Sequence, residues 1–351
     1  MARVARRKTT IYDIASAADA SATTVSLVLN GSWARHRIKQ DTANRITATA
    51  ERLGYKVNLA ARGLRLSRSG LAGMILPHYR NRFFADLAEA FEAEARRKDL
   101  CPIVVSTQRD DAVEAKVTRT LLAQGVEFLF IAGVQKPAPL NLLCHEAGVS
   151  CVNLDLPGTD APSVVSDNYG GARRLTDAMI DKALRRGGAA DDFLYLGGVA
   201  GEYATDNRVK GFCDVLRAHG VEPGPEHVDL CGYPPKTSRD ALKAHFERRG
   251  RLPSGLFLNS IAAFEGAAEY VSGLPPATLG AFLACCFDWD PFAACLPFDV
   301  TMLRQDVEHM MEHAFDALEP ASQEGRKLTL VPAVLAEVRR REPPSRRSAK
   351  D

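Results

Sequence analysis

Between Thr10 and Gly54 the apolar positions recur at helical spacing in three blocks. Ile11, Ile14, Ala15 and Ala18 share one face, Asp19-Ala20-Ser21 interrupts it, and Val25, Val28 and Leu29 resume it. That pattern predicts two short helices joined by a tight turn. Ser21 has the side chain of an N-cap, with Ala22, Thr23 and Thr24 as the first turn of the second helix. Asn30-Gly31 ends that helix, since both residues tolerate a left-handed backbone. A third helix is predicted from about Asp41 to Leu53, with Ile46, Ala50 and Leu53 on one face and Gly54 at its end. Three helices in this order form a helix-turn-helix unit, whose second helix offers its N-terminal residues to base edges in the major groove of DNA.

From Leu71 the pattern changes to short apolar runs alternating with amphipathic stretches. Strands are predicted at 71–76, 102–106, 127–132, 150–154, 193–197, 256–259 and 281–286, with helices between them. Phe84, Leu87, Ala88, Phe91 and Ala95 carry the helical period, as do Leu175, Met179 and Ala183, and then Phe212, Val215 and Leu216. Strand-helix alternation implies parallel sheets covered on both faces. About 270 residues exceed one comfortable core, which predicts two such sheets with a cleft between them and a ligand at the strand C-terminal ends.

Composition changes this picture through charge. The whole chain of 351 residues carries a formal charge of only +2, yet residues 1–68 hold 13 Lys/Arg against 4 Asp/Glu, so the remainder is acidic. A basic small segment on an acidic body fits a nucleic-acid-binding module, because phosphate neutralisation is the main sequence-independent source of affinity; a basic disordered arm would show the same charge. No apolar run reaches the roughly 18 residues of a membrane span, and no apolar segment follows the basic N-terminus, so a cytoplasmic protein with no membrane partner is expected. The eight cysteines lack paired CxxC spacing and read as reduced thiols, with neither disulfides nor zinc expected.

The strings TIYDIASAADASATTVSLVLNG and ERLGYKVNLAARGLRLSRSG resemble the DNA-binding headpiece and hinge of the lactose-repressor family of bacterial transcription regulators. More weakly, PSVVSDN (162–168), LYLGG (194–198), NRVKGF (207–212) and CFDW (286–289) resemble the periplasmic-binding-protein-like core of the same family. The RHRI approach to the third helix, the AARGL hinge, LFLNSIAAFEG and FDWDPFAACLPF are similar to its fructose-repressor (catabolite repressor/activator) branch. The resemblance implies an all-α helix-turn-helix headpiece (1–56), a hinge helix (57–69) and an α/β core (70–340) with two parallel-sheet subdomains. Subdomain 1 would take about 70–167 plus 299–320, subdomain 2 about 168–298 plus 321–340, and 341–351 would be a basic disordered tail.

It further implies a homodimer that binds a pseudo-palindromic operator in double-stranded DNA. Thr10 and Tyr12 would contact phosphates, and Ala22, Thr23, Ser26 and Leu27 would face the major groove, with Ser21, Thr24 and Asn30 beside them. Two departures stand out in the turn: Asp19 replaces the usual glycine, where Asp tolerates positive φ, and Ala20 replaces a larger aliphatic. The groove-facing set has no long Arg, Asn or Gln fork, which shifts specificity towards thymine methyl contacts and DNA shape. In the hinge, Asn58, Ala61, Arg62, Leu64 and Arg65 would meet the minor groove, with Leu64 as a wedge between base pairs. A helix of about two turns is marginal alone, since isolated helices need roughly 12 to 15 residues, so it is expected to order on DNA.

In the core, Arg208 and Asp288 fall where the family holds the hydroxyls of a sugar effector, Phe83 and Phe84 where it places an aromatic at the cleft wall, and Asp155 at a strand end. A sugar phosphate would want cations. Leu156 stands where the fructose branch has arginine, which leaves Arg80 and Arg82 as candidates before the helix that begins near Phe83. The effector is thus a sugar or sugar phosphate, and a co-repressor mode with a non-sugar ligand, or a transport-type sugar-binding protein, are the alternatives. No enzyme, metal or cofactor is expected. His309-Met310-Met311-Glu312-His313 matches the H-x-x-E-H pattern of zinc peptidases but lies on the polar face of a helix from Gln305 to Leu318.

Overall fold

The protein, described by a computed structural model, is defined over residues 9–55, 69–280, 282–319 and 328–337. The expectations for Asn58, Ala61, Arg62, Leu64 and Arg65 and for the basic tail fall outside the described residues. The chain divides into two units, residues 1–69 and 70–351.

In the first unit the helices are Ile11–Ala17, Ala22–Leu29 and Gln40–Arg52. Their apolar faces meet in a core of Ile14, Ala18, Val25, Val28, Ala43, Ile46 and Ala50. Thr10 and Asp13 form a reciprocal capping box that starts the first helix. The turn runs through Asp19 at φ 44°, the left-handed conformation expected there.

The second unit contains two sheets. The first takes strands β1 (Leu71–Leu76), β2 (Cys101–Ser106), β3 (Phe128–Ala132), β4 (Ser150–Leu154), β5 (Ser163–Ser166) and β11 (Leu328–Val331), in the order β11-β5-β4-β3-β1-β2. The second takes β6 (Phe193–Leu196), β7 (Val228–Asp229), β8 (Gly255–Leu258), β9 (Leu283–Phe287), β10 (Asp299–Arg304) and β12 (Val334–Glu337), in the order β12-β10-β9-β8-β6-β7. All pairings are parallel except β10 with β12. The central strands β1, β3, β8 and β9 are apolar throughout because helices cover both faces. In the first sheet Phe91 and Phe315, from helices Arg82–Arg97 and Val307–Ala317, pack on Phe130 of β3 with ring centroids 4.9 and 4.6 Å away. Tyr195, Phe212 and Phe257 form the equivalent cluster in the second.

The predicted subdomain boundaries need correction at the C-terminal end. Residues 299–304 were expected in subdomain 1, but β10 pairs with β9 in the second sheet. Residues 321–340 were expected in subdomain 2; within them β11 pairs with β5 in the first sheet, whereas β12 pairs with β10 in the second as expected. The chain therefore crosses between the sheets after β5, after β10 and after β11. The error has a physical source: β10 mixes half-buried with buried positions and β11 buries only its last residue, so neither gives an apolar run to assign.

Candidate functional site

In the first unit the second helix is anchored by Val25 and Val28, which turns Ala22, Thr23, Ser26 and Leu27 to the opposite face. Thr23 is exposed there and the other three are half-buried. Ser21 Oγ accepts from the Thr24 backbone N–H at 3.0 Å and lies 2.8 Å from Thr24 Oγ1, so both hydroxyls serve the helix N-terminus. Asn30 Nδ2 donates to the Ser26 carbonyl at 2.6 Å and closes the other end. Thr10 Oγ1 donates to Asp13 at 2.7 Å, whereas Tyr12 projects into solvent. Arg35, Arg37, Lys39 and Arg45, all exposed, add positive charge that helical periodicity did not single out.

In the second unit the C-terminal ends of the strands in both sheets face one cleft, on the strand order's reversal at β1/β3 and at β6/β8. Helix Tyr203–Ala218 carries Arg208, which is buried. Its Nε donates to Asn168 Oδ1 at 2.8 Å, its Nη1 donates to the Asn259 carbonyl at 2.5 Å, and its guanidinium lies 3.7 Å from the centroid of the Phe287 ring. Asp288, just after β9, accepts from the Ile261 N–H at 3.1 Å and from Gln305 Nε2 at 2.7 Å, and Gln305 in turn accepts from Ser166 Oγ. This chain of bonds links the end of β5 with the end of β9 across the two sheets.

Two ion pairs also span the cleft. Arg109, in the loop after β2, reaches Glu202 at 3.2 Å, and Arg82, at the start of its helix, reaches Asp290 at 3.1 Å. Tyr233 donates its hydroxyl to Glu202 and lies 5.3 Å under the Arg109 guanidinium. Gln108 and Arg109 both have positive φ, 58° and 59°, as does Asp155 at 71°. Such conformations cost about 1–3 kcal/mol each in a non-glycine residue and gather at functional sites.

One amide in this cleft lacks a partner: Asn259 Nδ2 is buried with no hydrogen bond. An unmet buried polar group costs about 1–3 kcal/mol, so Asn259 marks where a bound molecule gains most. Gly198 makes room here: it sits at φ 82°, and a Cβ on it would come within 2.7 Å of Thr205 and 3.0 Å of Asn259 Cγ.

Burial pushes the Asp155 carboxyl up to about 7, against the opposing pull of Arg208 and Arg109, while Glu202 and Asp288 push the same way as burial. Asp288 is raised too, first by burial, with Arg208, Gln305 and the Ile261 N–H opposing. The consequence for stability has a definite sign. Unfolded, Asp155 loses its proton near its usual value of about 3.9. Between there and about 7 only the folded state keeps that proton, so its stabilisation is complete at low pH and is lost as pH rises through this window. The difference in unfolding free energy between wild type and Asp155→Asn should therefore fall from pH 4.5 to 7 and then level; a flat difference would mean that Asp155 is ionised throughout. Asn suits the left-handed backbone, which keeps the comparison clean.

Among the residues singled out from sequence, Arg208, Asp155, Asp288, Arg82 and Phe83 come together here, and Phe83 and Arg82 line the crevice beside Asp288, Trp289 and Gln305. Phe84 packs instead over Gly133 and Pro77 in the core. Arg80 is exposed, near His78 and Glu265. Arg208 forms no surface pair with Asp206, because it is buried and committed to Asn168 and Asn259; Asp206 accepts instead from the Gly201 N–H at 3.0 Å. Arg109, Asn168, Glu202, Tyr233, Asn259 and Gln305 were missed; each lies in or beside a loop at a strand end, and only the topology brings them together. His309 is exposed and bonded to Asp306 at 2.7 Å, and no metal-binding cluster of His, Cys, Asp or Glu occurs among the described residues. No helix among them is long and apolar enough to cross a membrane.

Residues 69–265 match the family of periplasmic binding proteins and the sugar binding domain of the LacI family, and residues 10–58 match bacterial regulatory proteins of the lacI family. The chain is 42% identical over 192 residues to the ribitol operon repressor of Klebsiella aerogenes, which covers 55% of this chain and 71% of that one. It shares its fold with the Lac repressor dimer bound to operator and the anti-inducer ONPF (19% identity, TM-score 0.75, covering 94% of this chain and 98% of that one). The Cra transcriptional dual regulator of Pseudomonas putida in complex with fructose 1-phosphate has the same fold (18% identity, TM-score 0.66, covering 77% and 98%).

Proposed function

The chain belongs to the lacI family of bacterial regulatory proteins, DNA-binding transcriptional regulators, and on that premise we propose a homodimeric repressor whose operator affinity is set by a small sugar or sugar alcohol held in the cleft. The observation that carries the effector part is the pairing of a fixed buried guanidinium, Arg208, with two buried carboxylates, Asp155 and Asp288, between two sheets joined by three crossings. A guanidinium fork and carboxylates fix a polyol by charge-assisted hydrogen bonds. Bound between the sheets, such a molecule changes their separation, and that change couples to the operator-binding unit with about 1–3 kcal/mol, or 5- to 150-fold in affinity.

The test begins with mass spectrometry of small molecules retained by the native protein and footprinting to find its operator. Anisotropy titration of that operator, with and without the retained molecule, should then show a shift in that range. No shift with any retained or added sugar would sink the effector reading. The hinge has its own prediction: Leu64→Ala should weaken operator binding far more than nonspecific binding, because only the operator is kinked by the wedge. Equal losses on both would refute that role.

A further inference from the structure

The effector named above can be narrowed by charge. Four helix N-termini around the cleft, the usual seats for a phosphate, are already filled from within. Asn81 caps Phe83 N, Asp167 caps Gly170 N, Ser260 caps Ala263 N, Asp288 holds Ile261 N, and Asp306 caps His309 N. Helix Tyr203–Ala218 starts beside the Glu202 carboxylate. Three cations are engaged as well: Arg82 with Asp290, Arg109 with Glu202, and Arg208 between amide oxygens and facing Asp155 and Asp288, while Arg304, also at the crevice, lies 5.5 Å from the Trp289 ring centroid. Asp86, at the crevice wall, adds a further carboxyl.

The unmet group points the same way: Asn259 Nδ2 needs an acceptor, and Asp155 is a buried carboxyl of the same cleft. A hydroxyl both donates and accepts, whereas a phosphate dianion only accepts and would bring its charge against Glu202 and Asp288 and, once pH passes about 7, against Asp155.

We propose that the cleft admits neutral polyhydroxylated molecules and rejects their phosphate esters, with the Arg109–Glu202 pair as the discriminating element. This rests on the reading of the cleft as the effector site. Glu202 holds the one guanidinium that could swing to a phosphate from the loop after β2, and Tyr233 holds Glu202 in place. Charge matching at the lip therefore sets which ligands enter, while Arg208 and Asp288 orient whatever does.

Calorimetric titration of the full-length protein with ribitol and ribitol 5-phosphate, and with fructose and fructose 1-phosphate, tests this directly. In any pair that binds, the neutral member should be tighter by about 30-fold or more, given the desolvation and repulsion of an unpaired phosphate dianion. Glu202→Gln releases Arg109 and should raise ester affinity about tenfold, by supplying a charge-assisted contact. The inference is overturned if the ester binds as well as the neutral molecule in the wild type, or if Glu202→Gln leaves ester binding unchanged. Failure of all four molecules to bind, with operator affinity equally unmoved by the small molecules retained in the native protein, overturns the effector-site reading itself and the inference with it. The two failures are distinct, since the first still shows a ligand in the cleft.

Discussion

Ile46→Ala should abolish operator binding while leaving effector binding intact. Ile46 is fully buried and lies at the centre of the three-helix core, against Ile14, Val25 and Val28. Truncating it removes three carbons from a site that cannot collapse, at a cost of about 2–5 kcal/mol. A unit this small has little to lose: at roughly 0.05–0.15 kcal/mol per residue its whole stability is of the same size. The expected result is a headpiece largely unfolded at 37 °C, with operator affinity down by about 100-fold or more, since only the folded fraction binds. The core should melt unchanged, because its apolar clusters share no residue with that of the headpiece. Ile46→Val, costing about 0.5–1.5 kcal/mol, should keep most of the binding. If Ile46→Ala bound its operator within threefold of wild type, this core would not be what organises the recognition helix.

The headpiece was readable residue by residue because its signals are local. Ser21 caps as its position before Thr24 predicts, Asn30 closes the helix, and Asp19 takes the positive φ that the turn requires. The strands of the core were readable where helices cover both faces, as in LAGMIL and SCVNL, whose observed bounds are those predicted. Edge and crossover strands were not. β10, β11 and β12 are short or half-exposed, and their assignment depends on which sheet has an open edge, information that no window of sequence contains.

The cleft shows the same divide. Arg208 and Asp288 were identified by resemblance, but their partners were beyond local reasoning. Asn168 is 40 residues from Arg208 and Asn259 is 51. Arg109 and Glu202, 93 residues apart, look like ordinary surface charges until the two sheets face each other. Isolated polar residues carry no periodicity, so their function is a property of topology rather than of pattern.

Arg208→Ala should leave operator binding in place and remove the response to effector. The guanidinium holds Asn168 Oδ1 and the Asn259 carbonyl, covers the Phe287 ring, and is the main opposing charge at both Asp155 and Asp288. Without it an effector loses its orienting fork and meets two buried carboxyls that have lost their counter-charge, so affinity should fall about 100-fold or more. Those carboxyls then hold their protons to still higher pH. The sign follows: their folded-state stabilisation at low pH persists over a wider window, and the variant's stability should decline more steeply than that of the wild type as pH rises towards 8. Arg208→Lys separates charge from geometry. A point charge restores much of the pH behaviour but lacks the planar fork, so stability should recover while effector affinity stays about tenfold low. Anisotropy titrations of the operator, run with and without effector on both variants, read the outcome. Were Arg208→Ala still released or tightened by effector as the wild type is, the buried guanidinium would be a structural strut and the ligand would lie elsewhere.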